Sequence, residues 1–578
     1  MARLRRAIAL GAVVALAQWR PASAAIGTPF DPHESMRLQK DGPHLKKLDK
    51  AFESHLESAF DPHLNLDTIE EKYEKQGIYF DDVEPLKPHV FTKAVVNHYA
   101  KKPKYWRQRY YVNEEHWGGP GFPVFLMIGG EAPIQPSDVS HEMFYMNTLA
   151  IQHKALLLSV EHRYYGESNP TPDMTVENLE FLTIDQALKD LELFHSHVTT
   201  KYRTTDASKW IVFGGSYPGN LAVWFKQEYP HLAVGGIASS APLLLMADYK
   251  EYMEVVSNDF TRVGGAACGE SIRNAMQALD DAIVEALEAH PSSAKKKGSK
   301  KASKHRRGVR PTDHNATLYD VLTLCEPIAN DMDAMVLESI VKNQFQGVAQ
   351  YNDFNPVNIQ ATCEYFASVT TEKPLAQLAG FLAMASPTGC YMSTFSGSSG
   401  MSLMEQPSFT GTEFDGTSIE RQWTYQRCTE LGYTQSAGTD APNDTNIFRP
   451  LQFTSFNLLG TKLCQHLFGH AFKFPNVDAA NKRLRGNRPQ VDNITFTNGN
   501  LDPWYAALTS NDMIGWAHGG CRGIRWGWWT PRRSTTRKTR SFLSTARRTA
   551  AICMRRKSMT RKPFKQRTSR SRPTSRCT

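Results

Sequence analysis

The stretch Trp210 to Asn220 reads WIVFGGSYPGN, an apolar run that closes on small residues around Ser216 and continues into a helix-forming segment. A serine at such a bend is a nucleophile elbow. Its backbone is strained and needs small neighbours, and the bend lifts the hydroxyl above the sheet edge at a helix N-terminus. Gly214 and Gly215 give that room, although Pro218 stands where the pattern G-x-S-x-G has its second glycine, displaced here to Gly219. A serine hydroxyl is a poor nucleophile unless an imidazole takes its proton and a carboxylate orients the imidazole; on this kind of fold the chain order is Ser, Asp, His. Asp502, in FTNGNLDPW (Phe496 to Trp504), follows an apolar run through the turn Asn498-Gly499 and is the candidate acid. Stabilising a tetrahedral intermediate needs two N–H donors aimed at one oxygen. The backbone amides of Tyr217, just after the nucleophile, and of Gly130 or Glu131 in FLMIGGEAP are the candidates. No Cys-x-x-Cys or Cys/His spacing suggests zinc, and the chemistry calls for neither metal nor cofactor.

The elements that must position these residues follow from the hydrophobic pattern. Residues 124–128, 155–160, 210–213 and 234–238 are short apolar runs that predict strands, and helical periodicity fills 185–195 and 220–229. This alternation predicts an α/β fold, a mostly parallel sheet with helices on both faces, whose active site lies at the strand carboxyl ends. From about 248 the pattern changes to helical stretches such as 271–290 and 328–344, broken by polar loops. A last strand, 494–497, returns the chain to the sheet. The expected organisation is a leader at 1–24, a first sheet-forming part at 25–247, an inserted helical cap at 248–450, a second sheet-forming part at 451–515 and a basic tail at 516–578. The run KKKGSKKASKHRRGVR, 295–310, lacks apolar periodicity and reads as a solvated loop within the cap.

The chain has 578 residues, 41% hydrophobic and 11% aromatic, enough for a large core and unlike a disordered or fibrous polymer. Its net charge of +9 sits at one end: Met513 to Thr578 holds 19 Lys or Arg and no Asp or Glu, leaving 48 basic against 58 acidic residues elsewhere. The body is acidic, which argues against a nucleic-acid-binding role. Arg3, Arg5 and Arg6, the apolar run Ala7 to Ala17 and the small-x-small site Ala22-Ser23-Ala24 read as a secretory signal peptide. No stretch reaches the roughly 20 apolar residues of a membrane span. Six cysteines (Cys268, Cys325, Cys363, Cys390, Cys428, Cys464) lie in the body and three (Cys521, Cys553, Cys577) in the tail. In an oxidising compartment the six allow up to three disulfides in any of about fifteen pairings. Asn315, Asn443 and Asn493 begin glycosylation triplets.

Taken together, QRYYVN (Gln108 to Asn113), IGGEAP, EHRYYGES (Glu161 to Ser168), LTIDQAL, FGGSYPGNLAVWF, YPHL, SSAP (Ser239 to Pro242), WTYQRCTELGY (Trp423 to Tyr433) and TNGNLDPW make the chain resemble the prolyl serine carboxypeptidase family. That family includes lysosomal Pro-X carboxypeptidase, dipeptidyl peptidase II and thymus-specific serine protease, and the resemblance spans roughly 108–504. It implies an α/β-hydrolase fold with a helical cap, Ser216 as nucleophile, Asp502 as triad acid, and cleavage of peptide bonds after proline in the secretory pathway, outside the cell or in a lysosome. Carboxypeptidase and dipeptidyl directions both stay open, as does a homodimer. A lipase or esterase, or a silent binding protein with a hydrolase pocket, are the alternatives the elbow alone allows.

The resemblance also asks for a histidine after the acid. His518, in GWAHGG, is the only one and follows Asp502 by 16 residues, closer than the family spacing and in unlike surroundings, so it reads as a bystander. The tail beyond it reads as disordered or as translated out of frame. Arg547 to Lys565 can be encoded so that a shifted frame yields a histidine-bearing segment similar to the family's own. Sequencing the transcript across these codons is expected to expose the shift; a clean read in the present frame ends the idea.

Overall fold

Alternation of side chains along the strands decides what each face of the sheet buries. In a computed structural model, Val124, Leu126 and Ile128 of one strand join Leu156, Leu158 and Val160 of the next in one large core, while Phe125 and Leu157 face the opposite side with Phe213 and Tyr111. Both faces are apolar, so both are covered by helices, as a sheet of parallel strands requires. The structure describes residues 86–507, except 142–143, 290–313, 354–355, 370–372, 398–399 and 438–445, together with 524–529. The leader, the basic loop at 295–310, Asn443, His518, the region 547–565 and the tail cysteines lie outside the described residues.

The strands are β1 (His89–Val95), β2 (Tyr105–Asn113), β3 (Val124–Ile128), β4 (Leu156–Val160), β5 (Trp210–Gly215), β6 (Gly235–Ser239), β7 (Met246–Asp248), β8 (Gly432–Thr434), β9 (Ile494–Gly499) and β10 (Ile524–Trp529). Eight of them form one sheet in the order β1-β2-β4-β3-β5-β6-β9-β10, and β7 pairs with β8 separately. The pairs from β4 through β3, β5 and β6 to β9 are parallel, whereas β1 and β2 add an antiparallel edge. This is the α/β-hydrolase arrangement. The antiparallel edge is not among the expected strands because an irregularity between Phe91 and Ala94 breaks the alternation of β1, while in β2 the polar Gln108 takes a buried position and Arg109 turns to meet a buried carboxylate.

Helix α1 (Tyr145–His153) packs on the Phe125 face, and α2 (Ile184–Lys201) and α3 (Tyr217–Glu228) on the other. Thr183 caps α2 by accepting from the Gln186 N–H at 3.3 Å. Between β6 and β9 the chain is mainly helical: α4 (Lys250–Val263), α5 (Ala266–Ala289), α6 (His314–Leu322), α7 (Asp331–Gln350), α8 (Ile359–Ser368), α9 (Pro374–Ala385) and α10 (Glu420–Gln426). Three disulfides cross it, Cys268–Cys363, Cys325–Cys390 and Cys428–Cys464. They fit an oxidising compartment. No helix among the described residues is long and apolar enough to cross a membrane.

The elbow is where backbone approaches backbone most closely. A Cβ on Gly214 would lie 2.2 Å from the Pro218 carbonyl oxygen, and one on Gly130 would lie 2.2 Å from the Pro218 ring. On Gly215 the nearest atom would be 3.8 Å away. Gly214→Ala should therefore cost more than about 2 kcal/mol, as overpacking against rigid backbone does, while Gly215→Ala should cost less than about 1 kcal/mol. Equilibrium denaturation of the two variants checks this; equal losses would mean that the turn yields more easily than its contacts imply.

Candidate active site

Ser216 links β5 directly to α3 with φ 58 and ψ −134, a conformation that side-chain-bearing residues seldom adopt. Its N–H donates to the Ser239 carbonyl at 2.9 Å, and its own carbonyl accepts from Gly219 N–H at 2.9 Å and Asn220 N–H at 3.2 Å. The bend is thus pinned on both sides, to β6 and to the first turn of α3. The hydroxyl stands at the carboxyl edge of the sheet, partly accessible.

Opposite it stands Glu131, at the end of the loop after β3. Its carboxyl accepts hydrogen bonds from the Ser216 hydroxyl, the Tyr217 backbone N–H and its own backbone N–H. Two of these donors, the Tyr217 and Glu131 amides, are the ones expected from the sequence to face a reacting carbonyl oxygen, and here they face this carboxyl group. Burial pushes Glu131 up to about 7, and these three hydrogen bonds only partly offset it. Its Oε2 is buried without a partner. Gly130 contributes through its missing side chain, which lets the loop touch Pro218.

Asp502 follows β9, two strands from Ser216. Gly215, Ser239 and Thr497 lie in register across β5, β6 and β9, which puts roughly 10 Å between the outer two strands. Burial raises the Asp502 pKa, against donations from the Ser240 hydroxyl, the Trp504 N–H and the Asn498 amide, the last two at 2.9 and 3.2 Å. No hydrogen bond among the described residues joins a histidine to Ser216 or Asp502. His162 comes nearest in the chain's logic but has both nitrogens engaged, Nδ1 with the Arg163 carbonyl at 2.8 Å and Nε2 with the Tyr217 hydroxyl at 3.1 Å. Burial lowers it to about 4, which leaves it a neutral structural imidazole at neutral pH.

Several motif segments meet behind the nucleophile. Gln426 of WTYQRCTELGY donates to the Tyr217 hydroxyl at 3.1 Å and accepts from Tyr165 at 2.6 Å. Glu161 accepts from Arg109 at 2.5 and 3.1 Å, from Ser168 at 2.8 Å and from the Ile134 N–H at 3.2 Å, so one buried carboxylate ties β2, the loop after β3 and the loop after β4 together. Asn220 donates to Pro242 O at 3.1 Å and to the Tyr433 hydroxyl at 3.3 Å, and Tyr433 also donates to Pro242 O. These positioning roles are not visible in the sequence, where the same residues are only motif letters.

A cavity of about 330 Å³ opens over Ser216, between the sheet edge and the helical segment. Aromatic side chains of Tyr252, Tyr351, Trp423, Tyr433 and Trp504 line it, with Arg427 among them. Among the described residues no group of three or more His, Cys, Asp or Glu side chains is arranged to hold a metal. Of the glycosylation triplets, Asn493 is exposed ahead of β9 with φ 56 and donates to Val234 O at 3.1 Å, Asn315 lies in α6 with its side chain undescribed, and Asn443 is undescribed.

Residues 95–513 match the family model for serine carboxypeptidase S28. The chain is 28% identical over 415 residues to the thymus-specific serine protease of Mus musculus, covering 70% of this chain and 75% of that protein. It is 27% identical over 430 residues to the lysosomal Pro-X carboxypeptidase of Mus musculus, covering 71% and 76%.

The protonation of Glu131 gives a stability signature. Between the ordinary carboxyl value of 4.5 and about 7 the folded protein keeps a proton that the unfolded chain has lost. The stabilisation is therefore complete below that window, falls through it as pH rises, and is gone above about 7. Glu131→Gln cannot ionise, so its Tm relative to the parent should climb from pH 5 to pH 8. Parallel Tm curves over that range would contradict a buried, protonatable carboxyl.

Proposed function

The chain belongs to the serine carboxypeptidase S28 family, a family of serine-type peptidases, and on that premise we propose that it is an exopeptidase hydrolysing peptide bonds that follow proline. Ser216 is the nucleophile. Its hydroxyl attacks the scissile carbonyl while an imidazole takes the proton, and Asp502 orients that imidazole from the end of β9. The oxyanion of the tetrahedral intermediate takes the place now held by the Glu131 carboxyl oxygen, receiving the N–H groups of Tyr217 and Glu131; the glutamate side chain turns aside when substrate enters. The imidazole is the part this chain lacks or carries displaced, since His518 reads as a bystander, and without it turnover falls by several orders of magnitude.

The observation that carries this reading is the strained serine at the strand-to-helix bend, with the Tyr217 and Glu131 N–H groups and the Ser216 hydroxyl all directed at one buried carboxyl group. The aromatic walls of the cavity support a proline-containing substrate, whose flat apolar ring packs on such faces. Residues 248–450 act as a cap that closes the cleft from above. Entry to the secretory pathway through the leader at 1–24, and glycans at Asn315, Asn443 and Asn493, complete the proposal.

The gene product from a sequenced transcript is tested on paired proline-containing peptides, one blocked at the N-terminus and one at the C-terminus. Cleavage of only the N-blocked peptide gives the carboxypeptidase direction, and of only the C-blocked peptide the dipeptidyl direction. A fluorophosphonate probe should label the parent and not Ser216→Ala, whose turnover should drop by roughly a thousandfold or more. Undiminished hydrolysis by Ser216→Ala would overturn the proposal, and hydrolysis of short-chain esters alone would favour an esterase.

A further inference from the structure

Arg427 stands out as a cation without a counter-charge. It lines the cleft together with Ser216, and its Nε is buried with no hydrogen-bond partner. Among the described residues its side chain makes no hydrogen bond or ion pair. Burial alone depresses the guanidinium, to about 10, and no neighbouring carboxylate opposes the shift. The acidic groups of the surrounding elements have other donors: Glu131, across the same cleft, faces the Ser216 hydroxyl and the Tyr217 N–H, and Glu420 accepts from the Ile419 N–H at 3.0 Å. Glu338 accepts from the N–H groups of Phe453 and Thr454 at 2.8 and 2.9 Å, Glu430 from the Ile184 N–H at 2.7 Å, and Asp248 from the Ser436 hydroxyl at 2.5 Å. A second cation shares the neighbourhood: Lys342, driven down to about 7 by burial and then by Arg427.

A partly buried cation with no counter-charge is costly, and no described protein group offsets it. The chain holds it firmly nonetheless. Arg427 opens a π-helical turn, Arg427–Leu431, an irregularity found most often at functional sites. The next residue, Cys428, is tied by a disulfide to Cys464. Trp423, one turn earlier, lines the same cleft. A rigidly mounted guanidinium with its fork free matches a carboxylate, which it can receive through two parallel N–H donors.

The geometry points to Arg427 as the anchor for a carboxylate of the bound peptide. This deepens the peptidase reading and rests on it, since a peptide in the cleft brings carboxylates at its C-terminus and on acidic side chains. Binding then pairs a charge that has no partner among the described residues, and the anchor fixes which part of the peptide lies away from Ser216.

The test measures binding rather than turnover, so that failure of the anchor and failure of the hydrolytic mechanism are separately visible. Ser216→Ala protein, full length, is titrated calorimetrically with a short proline-containing peptide as free acid, with its C-terminal amide, and with amidated peptides carrying either Glu or Gln beyond the proline. The free acid should bind about 10- to 100-fold tighter than the amide, and adding Arg427→Met should erase that difference while leaving the amide's affinity unchanged. Arg427→Lys should retain part of the preference. If acid and amide bind alike but the Glu peptide beats the Gln peptide until Arg427→Met is introduced, the anchor stands and reads a side-chain carboxylate. Equal binding of all four peptides, absence of binding by any, or a preference that survives Arg427→Met overturns it. Thermal melts keep a structural role distinct: Arg427→Met should match or exceed the parent Tm, and a lowered Tm with discrimination intact also overturns the proposal.

Discussion

The structure is organised around a clearance too small for a Cβ atom. At the carboxyl edge of the sheet, Gly214 faces the Pro218 carbonyl, Gly130 faces the Pro218 ring and Gly219 faces Ala241, each at a distance where a methyl group would collide. That closeness lets the chain reverse from β5 into α3 at Ser216 while keeping its carbonyl and N–H bonded. It also brings the loop after β3 against the start of α3, so that the amides of Tyr217 and Glu131 face the same carboxyl group. The positive φ at Ser216 costs of order 1–3 kcal/mol, and the hydrogen bonds to Ser239, Gly219 and Asn220 hold it there.

Buried polar groups then distribute the elbow's rigidity through the molecule. Glu161 and Arg109 join three segments at one side of the nucleophile, and the Arg163 guanidinium meets Asp190 at 2.6 and 2.7 Å deeper in the core. Such groups tolerate no loss of a partner, since an unpaired buried charge is worth several kcal/mol of destabilisation. Between them they explain why charged residues sit in strands and turns where an apolar pattern would be expected.

The parallel heart of the fold was legible because its strands are short unbroken apolar runs: β3, β4, β5, β6 and β9 all lie within two residues of their expected positions, as the strain at Ser216 lies at its expected place. Helices α5 and α7 prove longer than their periodic cores, the usual fate of ends whose polar residues still bond along the axis. Less was legible where long-range contacts decide. The edge strands escape the pattern, β1 through the irregularity between Phe91 and Ala94 and β2 through a buried Gln108 and an Arg109 that meets Glu161. The disulfide partners depend on which helices pack together, as with Cys268 in α5 and Cys363 in α8, and spacing carries no trace of it. Gln426, Tyr433 and Arg427 are ordinary letters until the fold brings them beside residues some 200 positions away. No histidine among the described residues is hydrogen-bonded to Ser216 or Asp502.

The chamber's modest size has a further implication. At about 330 Å³ it sits at the small end of ligand pockets, walled by sheet loops below and by helices braced with disulfides above. On the exopeptidase reading, a chamber of this size would admit only a residue or two of a peptide at a time, so its aromatic walls, more than the sheet beneath, would decide which side chain rests beside Ser216.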